Sequence, residues 1–339
     1  MTTPQIQALL NSSRFIEKYG NAKLIATHIS WILLTKDFAF KIKMPFHYSF
    51  LNFSTLKKRQ FYCKREVQLN RRLAPDMYLG VTTVRMKKGT ICLENIEGKI
   101  IDYAVKMKRM DEPRQMNLLL KKEKVIPTHL QQIAAHLAAF HQKAQRITYR
   151  PDLQSMKDDF DDILKIKDFI SPRIGNRRAQ IIEHAIIHSD KILARHFDRI
   201  TQRQQNGYVV DGHGDLHSGN IFLPKNKKPV IFDCIEFSDH LRHIDILNEL
   251  AFFCMDLDFY ERADLAEYFL TKYNEHNPCL FNRADYELFS YFKLYRVNVR
   301  IKTGALKAMN LSDPQQLPDQ LALVDNYLSL MEKYLRNEK

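Results

Sequence analysis

The spacing of apolar side chains in the first part of the chain switches between the period of strands and the period of helices. Between Lys23 and Lys43 the residues are rich in β-branched and aromatic types, which predicts two or three short strands broken at 27–30 and 36–37. Ser54 resembles an N-cap, and a helix is predicted from it to about Leu73, before Pro75. The side chains predicted on its buried face are Leu56, Cys63, Val67 and Leu73.

Strand patterns return between residues 78 and 110, with turns at 87–89 and 97–99. Beyond Asp111 the pattern is mostly helical, and the helices are predicted at 127–145, 157–170 and 177–204. Residues 208–237 interrupt it as strand, loop, short strand, turn and short strand, and helices resume at His243. The pattern therefore predicts a small sheet-rich part with one helix, followed by a larger helical part that carries a hairpin.

Composition and charge narrow the class of protein. A chain of 339 residues can bury a large core without disulfides or metals. Its 52 lysines and arginines against 39 aspartates and glutamates leave a net charge of +13, which favours an anionic partner such as a nucleotide, a nucleic acid or an acidic metabolite. A basic surface that only faces water explains the same excess, so charge alone does not choose among these alternatives.

Cysteine spacing and hydropathy indicate where such a chain folds. The five cysteines are scattered and never spaced as C-x-x-C, which indicates reduced, buried thiols rather than disulfides or a zinc site. No apolar run approaches the roughly 20 residues that span a bilayer. The first eleven residues lack the basic start and apolar middle of a signal peptide. A cytoplasmic protein without membrane contact is therefore expected.

The strongest chemical pattern lies in the predicted hairpin, which reads HGDLHSGN at 213–220 and IFD at 231–233. Phosphoryl transfer from ATP needs one carboxylate that accepts the proton of the attacking hydroxyl, and Asp215 can supply it. It also needs an amide oxygen and a second carboxylate that hold Mg²⁺ against the phosphates, and Asn220 and Asp233 have these groups. Asp and Asn also cap ordinary turns. That alternative explains one such pair more easily than three residues at these spacings between apolar strands.

These residues resemble the aminoglycoside phosphotransferase and choline kinase branch of the protein-kinase-like superfamily, in which H-G-D-x-x-x-x-N replaces the HRD loop. The segments THISW at 27–31, FKIKMP at 40–45 and LNRRLAP at 69–75 resemble more closely one bacterial family, in which such a domain often precedes a P-loop ATPase domain. No G-x-x-x-x-G-K-[ST] segment occurs here, so the chain is expected to be the phosphotransferase-like part alone.

The resemblance implies an α+β, two-lobed protein-kinase-like fold. Residues 1–110 would form a small antiparallel-sheet N-terminal lobe with one helix, and residues 111–339 a larger, mainly helical C-terminal lobe. It also implies ATP and Mg²⁺ as cofactors, and a hydroxyl of a small molecule as the acceptor. The activity expected from it is that of an ATP-dependent small-molecule kinase.

The same resemblance implies roles for the N-terminal lobe. Lys41 matches the lysine that contacts ATP phosphates, and Glu66 matches the glutamate that pairs with it. Lys43 is a rival for Lys41 on the same strand face, and the basic neighbours of Glu66 allow a plain surface ion pair instead. No glycine-rich loop is present, so backbone amides and the hydroxyl of Ser30 or Thr27 are expected to hold the phosphates.

Further contacts are expected from both lobes. The adenine edge should meet backbone groups between residues 106 and 110, among them those of Met107 and Arg109. His213 and Asp245 are expected to support the catalytic loop, although an acid such as Asp245 also suits the first turn of an ordinary helix.

A basic row late in the chain is the candidate acceptor site. At 100° per residue, Lys293, Arg296 and Arg300 cluster on one helix face beside an apolar stripe of Leu288, Phe292, Tyr295 and Val299. Arg296 and Arg300 are predicted to bind an anionic acceptor, and the alternative is a solvated helix face.

Two further classes of function stay open. One is a kinase-like module that binds nucleotide with little or no turnover, against which the intact Lys41, Asp215, Asn220 and Asp233 argue. The other is a basic nucleic-acid-binding protein, suggested by the net charge and by the seven basic residues against one acid in 57–72. No zinc spacing or RNP-like motif supports it, so nucleic acid is not the expected partner.

Overall fold

In the computed structural model the described residues are 1–27, 29–48, 51–93, 97–311 and 313–337, so His28 of the THISW motif lies outside them. The chain forms two compact units. The first unit comprises Met1–Leu119, His213–Asp215 and Gly219–Arg242; the second comprises Leu120–Gly212, Leu216–Ser218 and His243–Lys339. The lobe boundary at residue 110 stays a prediction.

The first unit begins with two short helices whose N-caps are the hydroxyl residues Thr2 and Ser12. Among the described residues of this part, eight strands and one longer helix follow. The longer helix and the strands within 23–43 and 78–110 are predicted by the pattern, whereas the two short helices and the strands His47–Tyr48 and Leu51–Asn52 are not. In chain order these elements are α1 (Thr3–Leu10), α2 (Ser13–Tyr19), β1 (Lys23–Ala26), β2 (Ser30–Leu34), β3 (Phe38–Lys43), β4 (His47–Tyr48), β5 (Leu51–Asn52), α3 (Leu56–Asn70), β6 (Tyr78–Lys87), β7 (Thr90–Leu93) and β8 (Lys99–Lys108).

Six of these strands form one antiparallel sheet in the order β1-β2-β3-β8-β6-β7. The predicted break at 36–37 is confirmed, and the one at 87–89 is confirmed for residues 88 and 89. At the predicted break 27–30, Ser30 already belongs to β2 and His28 lies outside the described residues. Side chains alternate between the two faces of the sheet. One face packs Phe40 and Ile42 against α1 and α2, and the other packs Ala39 and Val105 against α3.

Helix α3 begins one residue later than predicted. Its N-cap is Thr55, whose hydroxyl accepts the backbone N–H of Lys58 at 3.2 Å. The predicted N-cap, Ser54, is wrong, because the Ser54 hydroxyl donates instead to Asn52 Oδ1 at 2.7 Å. The helix ends at Asn70, so Leu73 is buried beyond the helix rather than on its face. Three polar side chains share the buried face with Cys63 and Val67, namely Arg59, Glu66 and Asn70.

The predicted hairpin is confirmed, and it belongs to the first unit rather than to the mainly helical part to which the pattern assigned it. Strands β10 (Ile221–Phe222) and β11 (Val230–Ile231) pair antiparallel, and Phe232 N–H donates to the Asn220 carbonyl at 3.0 Å. The rings of Phe222 and Phe232 stack with centroids 4.9 Å apart. This short ladder aligns the residues that precede β10 with those that follow β11.

The second unit is mainly helical. Its strands β9 (Val209–Asp211) and β12 (His243–Asp245) pair, so the predicted return to helix at His243 is wrong by three residues. The predicted helix 157–170 is also wrong, because a 3₁₀ turn at Asp162–Ile166 divides it. The helices are α5 (Pro127–Lys143), α6 (Leu153–Asp161), α7 (Lys167–Ile174), α8 (Asn176–Gln205), α9 (Ile246–Phe259), α10 (Ala263–His276), α11 (Arg283–Met309) and α12 (Leu317–Asn337), and the short α4 (Met116–Leu120) precedes them.

All five cysteines lie in the described ranges and are buried outside any disulfide, as predicted. Within those ranges no helix combines the length and apolarity that crossing a membrane requires.

Candidate active site

Strand β3 directs two lysines toward α3. Lys41 Nζ lies 3.0 Å from Glu66 Oε1, and Lys43 Nζ donates to Glu66 Oε2 at 2.6 Å. Lys41 Nζ also donates to Asp233 Oδ1 at 2.7 Å, whereas Lys43 Nζ donates to a carboxylate oxygen of Glu236. The structure thus brings Lys41 and Glu66 into an ion pair, and Glu66 bridges both lysines.

Burial distinguishes the two lysines. The side chains of Lys43 and Glu66 are fully buried, so the alternative of a surface ion pair at Glu66 is wrong. The Lys41 side chain keeps 11% of its surface exposed, and that of its partner Asp233 keeps 43%. Lys41 therefore lies at the open end of the charge cluster and Lys43 at the closed end.

The charges shift the pKa values of Glu66 and Lys41 in definite directions. Burial alone would raise the pKa of Glu66, but the charges of Lys41 and Lys43 outweigh it and lower that pKa to about 2. Burial would likewise lower the pKa of Lys41, and the charges of Asp233 and Glu66 raise it instead. Both groups stay ionised at neutral pH.

Asp233 follows the hairpin in an unusual backbone conformation. Its φ is +64°, a left-handed value that costs energy for a residue with a side chain. Its N–H donates to the Tyr78 hydroxyl at 3.2 Å, and the next N–H, of Cys234, donates to Asn70 Oδ1 at 2.8 Å. Burial, followed by the charge of Asp233, raises the pKa of Tyr78, so its hydroxyl stays protonated. These contacts hold Asp233 in a conformation that the local chain alone would disfavour.

The HGD loop is tied to the hairpin through His213. Its Nε2 lies 2.9 Å from the Phe232 carbonyl, and its Nδ1 lies 3.3 Å from the N–H of Asp215. A carbonyl can only accept, so the proton is on Nε2 and Nδ1 accepts from Asp215. The buried ring therefore links the start of the loop to the residue before Asp233.

Asn220 closes the same loop. Its amide Nδ2 donates to the backbone carbonyl of Asp215 at 2.9 Å and to Asp215 Oδ2 at 3.1 Å. Both bonds use the nitrogen, so the amide oxygen, which is the atom able to bind a metal, is directed away from these bonds. The loop thus orients the carboxylate of Asp215 and the amide of Asn220 together.

The donors fit magnesium better than a protein-caged metal. Within the described ranges no group of three or more His, Cys, Asp and Glu side chains could hold a metal by itself. Asn220 and Asp233 offer one amide oxygen and one half-exposed carboxylate. Mg²⁺ is commonly bound by one or two carboxylates, with phosphates and waters completing its octahedron. This donor set suits Mg²⁺ carried on a nucleotide.

The predicted nucleotide contacts are less open than expected. The Ser30 hydroxyl is buried without a hydrogen-bond partner among the described residues, and the Thr27 hydroxyl is engaged within its own turn, where it accepts the N–H of Ser30 at 2.9 Å. Met107 is buried, and the N–H of Arg109 donates to the Asp37 carbonyl at 2.9 Å. The roles of Ser30, Met107 and Arg109 stay predictions.

In the second unit, Asp245 is hydrogen-bonded to a side chain of helix α8. It forms two 2.8 Å bonds with Arg203 of α8, and it caps α9 by accepting the N–H of Leu247 at 2.7 Å. Asp245 is therefore the N-cap of α9 rather than an acid of its first turn, and β12, which carries it, pairs with β9. Its support of the catalytic loop stays a prediction. Asp256, which the sequence does not single out, accepts the N–H of Ser218 in the HGD loop at 2.8 Å.

The basic row of α11 is not a solvated face. Arg296 is buried, its Nε donates to Asn248 Oδ1 at 2.6 Å, and its guanidinium lies 4.7 Å from the ring centre of Phe252. Arg300 Nε donates to the Tyr327 hydroxyl at 3.2 Å. Their binding of an acceptor stays a prediction.

A cavity of about 610 Å³ lies elsewhere in the first unit. It is bounded by α2 and by β6 around Leu79–Thr83, and no residue of the charge cluster or the HGD loop lines it. The candidate active site is therefore located by its chemical groups rather than by the size of a cavity.

Comparison with known sequences gives relatives without a described activity. No family model matches the chain. An uncharacterised protein of Mycobacterium tuberculosis strain H37Rv is 30% identical over 285 residues, which are 83% of this chain and 54% of that protein. An uncharacterised protein of Mycobacterium bovis gives the same values. The chain spans about half the length of the curated relatives it matches.

Solved structures show the fold. A choline kinase from Cryptosporidium parvum covers 94% of this chain and 88% of its own, with a TM-score of 0.56 at 11% identity. A choline/ethanolamine kinase family protein from Mesorhizobium loti covers 98% of this chain and all of its own, with a TM-score of 0.51 at 13% identity. The α+β protein-kinase-like fold and the resemblance to the choline kinase branch are thereby confirmed at the level of the fold.

Proposed function

We propose that this chain is an ATP- and Mg²⁺-dependent phosphotransferase that moves the γ-phosphate to a hydroxyl of a small molecule. The observation that carries the proposal is the contact of Lys41 with both Glu66 and Asp233, in the unit that also holds Asp215 and Asn220. A cation, two metal-binding groups and a candidate base are the groups that phosphoryl transfer requires.

In this function Lys41 contacts the phosphates. A lysine is a point charge on a flexible stem, and Glu66 keeps it ordered. In the structure described here Lys41 Nζ also contacts the half-exposed Asp233, a carboxylate that Mg²⁺ would share with the nucleotide. When bound, Mg²⁺ would be held by Asp233 and Asn220 and would neutralise charge on the phosphates.

Asp215 acts as the general base. The amide of Asn220 orients one of its carboxylate oxygens, and the carboxylate accepts the proton of the acceptor hydroxyl. The hydroxyl oxygen attacks the γ-phosphorus, the bond from that phosphorus to the bridging oxygen breaks, and ADP leaves. His213 keeps the loop in place without touching the reactants, so it is a positioning residue.

A thermal-shift experiment tests this proposal. The melting temperature is measured with ATP alone, Mg²⁺ alone and both together, for the wild type, Asp233→Ala and the exposed control Asp264→Ala. We expect a joint stabilisation in the wild type and the control that exceeds the sum of the separate effects, because only a metal–nucleotide complex engages both donors. Asp233→Ala should lose it. A wild type that responds equally to ATP without Mg²⁺, or not at all, contradicts the proposal.

A kinase-like binding module is the second candidate, and it would give the same thermal shift. An activity assay separates the two functions. A panel of small hydroxylated compounds is incubated with ATP, and mass spectrometry detects ADP and a phosphorylated product. We expect product formation, because the candidate base, the metal donors and the lysine are all intact.

A further inference from the structure

The charge cluster contains two residues that the proposed reaction does not use, Lys43 and Glu236. The five charges follow one another as Asp233, Lys41, Glu66, Lys43 and Glu236, each in contact with the next. Protein kinase chemistry needs a single lysine–glutamate pair at this place. The second pair therefore calls for a separate explanation.

Lys43 cannot serve as a phosphate ligand in this conformation. Its side chain has no exposed surface, and its ammonium contacts Glu66 and Glu236, which are themselves buried. It also lies 4.8 Å from the ring centre of Phe53. Lys43 is thus directed into the protein, away from the open end of the cluster at Lys41.

The second pair determines how Glu66 is oriented. Glu66 uses Oε1 toward Lys41 and Oε2 toward Lys43, so its carboxylate plane is held from both sides. Without Lys43, two buried carboxylates, Glu66 and Glu236, would depend on Lys41 alone, and their attraction would draw its ammonium inward. A single neutral residue at position 43 would therefore change where Lys41 presents its charge.

The pair also anchors the segment that carries the metal carboxylate. Glu236 lies three residues after Asp233, and between them the N–H of Cys234 donates to Asn70. The segment is thus attached to β3 at Glu236 and to α3 at Cys234. These attachments flank a residue with φ of +64°, which needs such support.

We propose that Lys43 and Glu236 are positioning residues, which form a buried latch that fixes Glu66 and the 233–236 segment so that Lys41 and Asp233 are held ready for Mg²⁺–ATP. This inference rests on the proposed function for its consequence in nucleotide binding. The attachment of segment 233–236, which is the structural part of the proposal, does not depend on nucleotide.

Two variants, Lys43→Met and Glu236→Gln, test the latch by two measurements. Lys122→Met at an exposed position is the control, and Lys41→Met is the comparison for loss of a phosphate ligand. Hydrogen–deuterium exchange of peptides covering 233–239, without nucleotide, should be about tenfold faster or more in both latch variants than in the wild type and the control. Mg²⁺–ATP affinity should fall by about tenfold or more in each, because the lost contact is charge-assisted.

The double variant Lys43→Met/Glu236→Met removes both charges and keeps the site filled with apolar groups, which folded proteins tolerate. We expect its affinity to equal that of the weaker single variant rather than the product of both losses, because the two residues act as one unit. If either single variant does not fold, exchange and affinity are measured on the double variant instead.

The possible results are distinct. Unchanged exchange in 233–239 overturns the latch. Faster exchange with unchanged Mg²⁺–ATP affinity shows a purely structural pair and overturns the positioning role. Loss of affinity in Lys43→Met but not in Glu236→Gln shows that Lys43 acts without Glu236, which also overturns the latch. A wild type that binds no Mg²⁺–ATP overturns the proposed function and with it the role of the latch, while the exchange result still reports whether segment 233–236 is attached as described.

Discussion

Asp215 illustrates how much a few local bonds determine at the scale of single residues. Its backbone N–H is held by His213, and its carbonyl and one carboxylate oxygen are held by Asn220. Three contacts within eight residues therefore orient a carboxylate that is only half-buried. A general base needs this kind of fixed direction more than it needs an unusual environment.

Asp215→Asn should lower the turnover number by about 10² to 10⁴, since general-base assistance is worth about that much. Asparagine keeps the shape and the bond from Asn220, so Mg²⁺–ATP affinity should stay within about twofold of the wild type. Steady-state kinetics with any accepted acceptor, together with a nucleotide titration, checks both expectations. Near-wild-type turnover in this variant would remove Asp215 from the role of base.

Glu66 gives the site a pH dependence of known sign. Its pKa falls from about 4.5 in the unfolded chain to about 2 in the folded protein, because Lys41 and Lys43 outweigh its burial. A lowered pKa contributes stability that is present above pH 4.5 and is lost as the pH falls toward 2, by about 3 kcal/mol for this shift. Glu236 acts in the opposite direction, because burial raises its pKa.

Urea unfolding of the wild type and Glu66→Gln between pH 7 and pH 3 measures this contribution. The free energy of unfolding should be lower in the variant at neutral pH, and the difference should shrink as the pH falls below 4.5. Glu267→Gln, at an exposed position, is the control and should show no such trend. A difference that grows on acidification would reverse the assigned sign.

At the scale of elements, one buried arginine of the second unit contacts the starts of two other helices. Arg203 of α8 forms two bonds with Asp245 at the start of α9, and it contacts Asp285 at the start of α11 at 3.0 Å. It also donates to the Cys279 carbonyl at 2.8 Å and lies over the ring of Tyr208. Three helices are therefore joined through a single fully buried side chain.

Arg203→Met should lower the free energy of unfolding by about 3–5 kcal/mol, because the substitution leaves the largely buried carboxylate of Asp245 without its cation, whereas Asp285 keeps its pair with Arg199. Arg283→Met, which removes an exposed pair with Glu287 on α11, should cost no more than about 0.5 kcal/mol. Chemical denaturation of both variants checks the comparison. Equal losses in the two would show that Arg203 is not the residue that joins these helices.

At the scale of the whole molecule, the excess of basic residues bears on the partner. A net charge of +13 favours an anionic acceptor over a polycation such as an aminoglycoside, although overall charge does not determine the sign of a single site. Arg296 and Arg300 remain the candidate contacts on α11, because the guanidinium fork matches carboxylate and phosphate oxygens two at a time.

We therefore expect the accepted compound in a panel of hydroxylated metabolites and antibiotics to carry a carboxylate or phosphate. Arg300→Ala should then weaken its binding by about ten- to a hundredfold and leave Mg²⁺–ATP affinity unchanged, because one charge-assisted contact is lost. Arg296→Ala should act likewise, with the loss of packing on Phe252 as an added effect. Unchanged acceptor KM and kcat in both variants would place the acceptor site elsewhere.

The sequence by itself determined the features that depend on neighbouring residues. The strands within 23–43 and 78–110 and the hairpin around β10 and β11 follow from local periodicity and turn chemistry, which act over a few residues. The kinase-like fold was predictable from the resemblance to a known family that His213, Asp215 and Asn220 carry within eight positions of one loop. Their spacing can be recognised in the sequence without knowledge of how the rest of the chain folds.

Only the tertiary structure decided which distant groups meet. Lys41 and Lys43 are equivalent in the pattern of β3, and their different burial depends on α3 and on segment 233–236 packing against one face. Glu236 carries no local signal, because its partner Lys43 is 193 positions away in the sequence. The same is true of the N-cap at Thr55, the ion pair of Arg203 with Asp245 and the burial of Arg296. Each depends on which side chains compete for a partner in three dimensions, and the periodicity of the sequence does not contain that information.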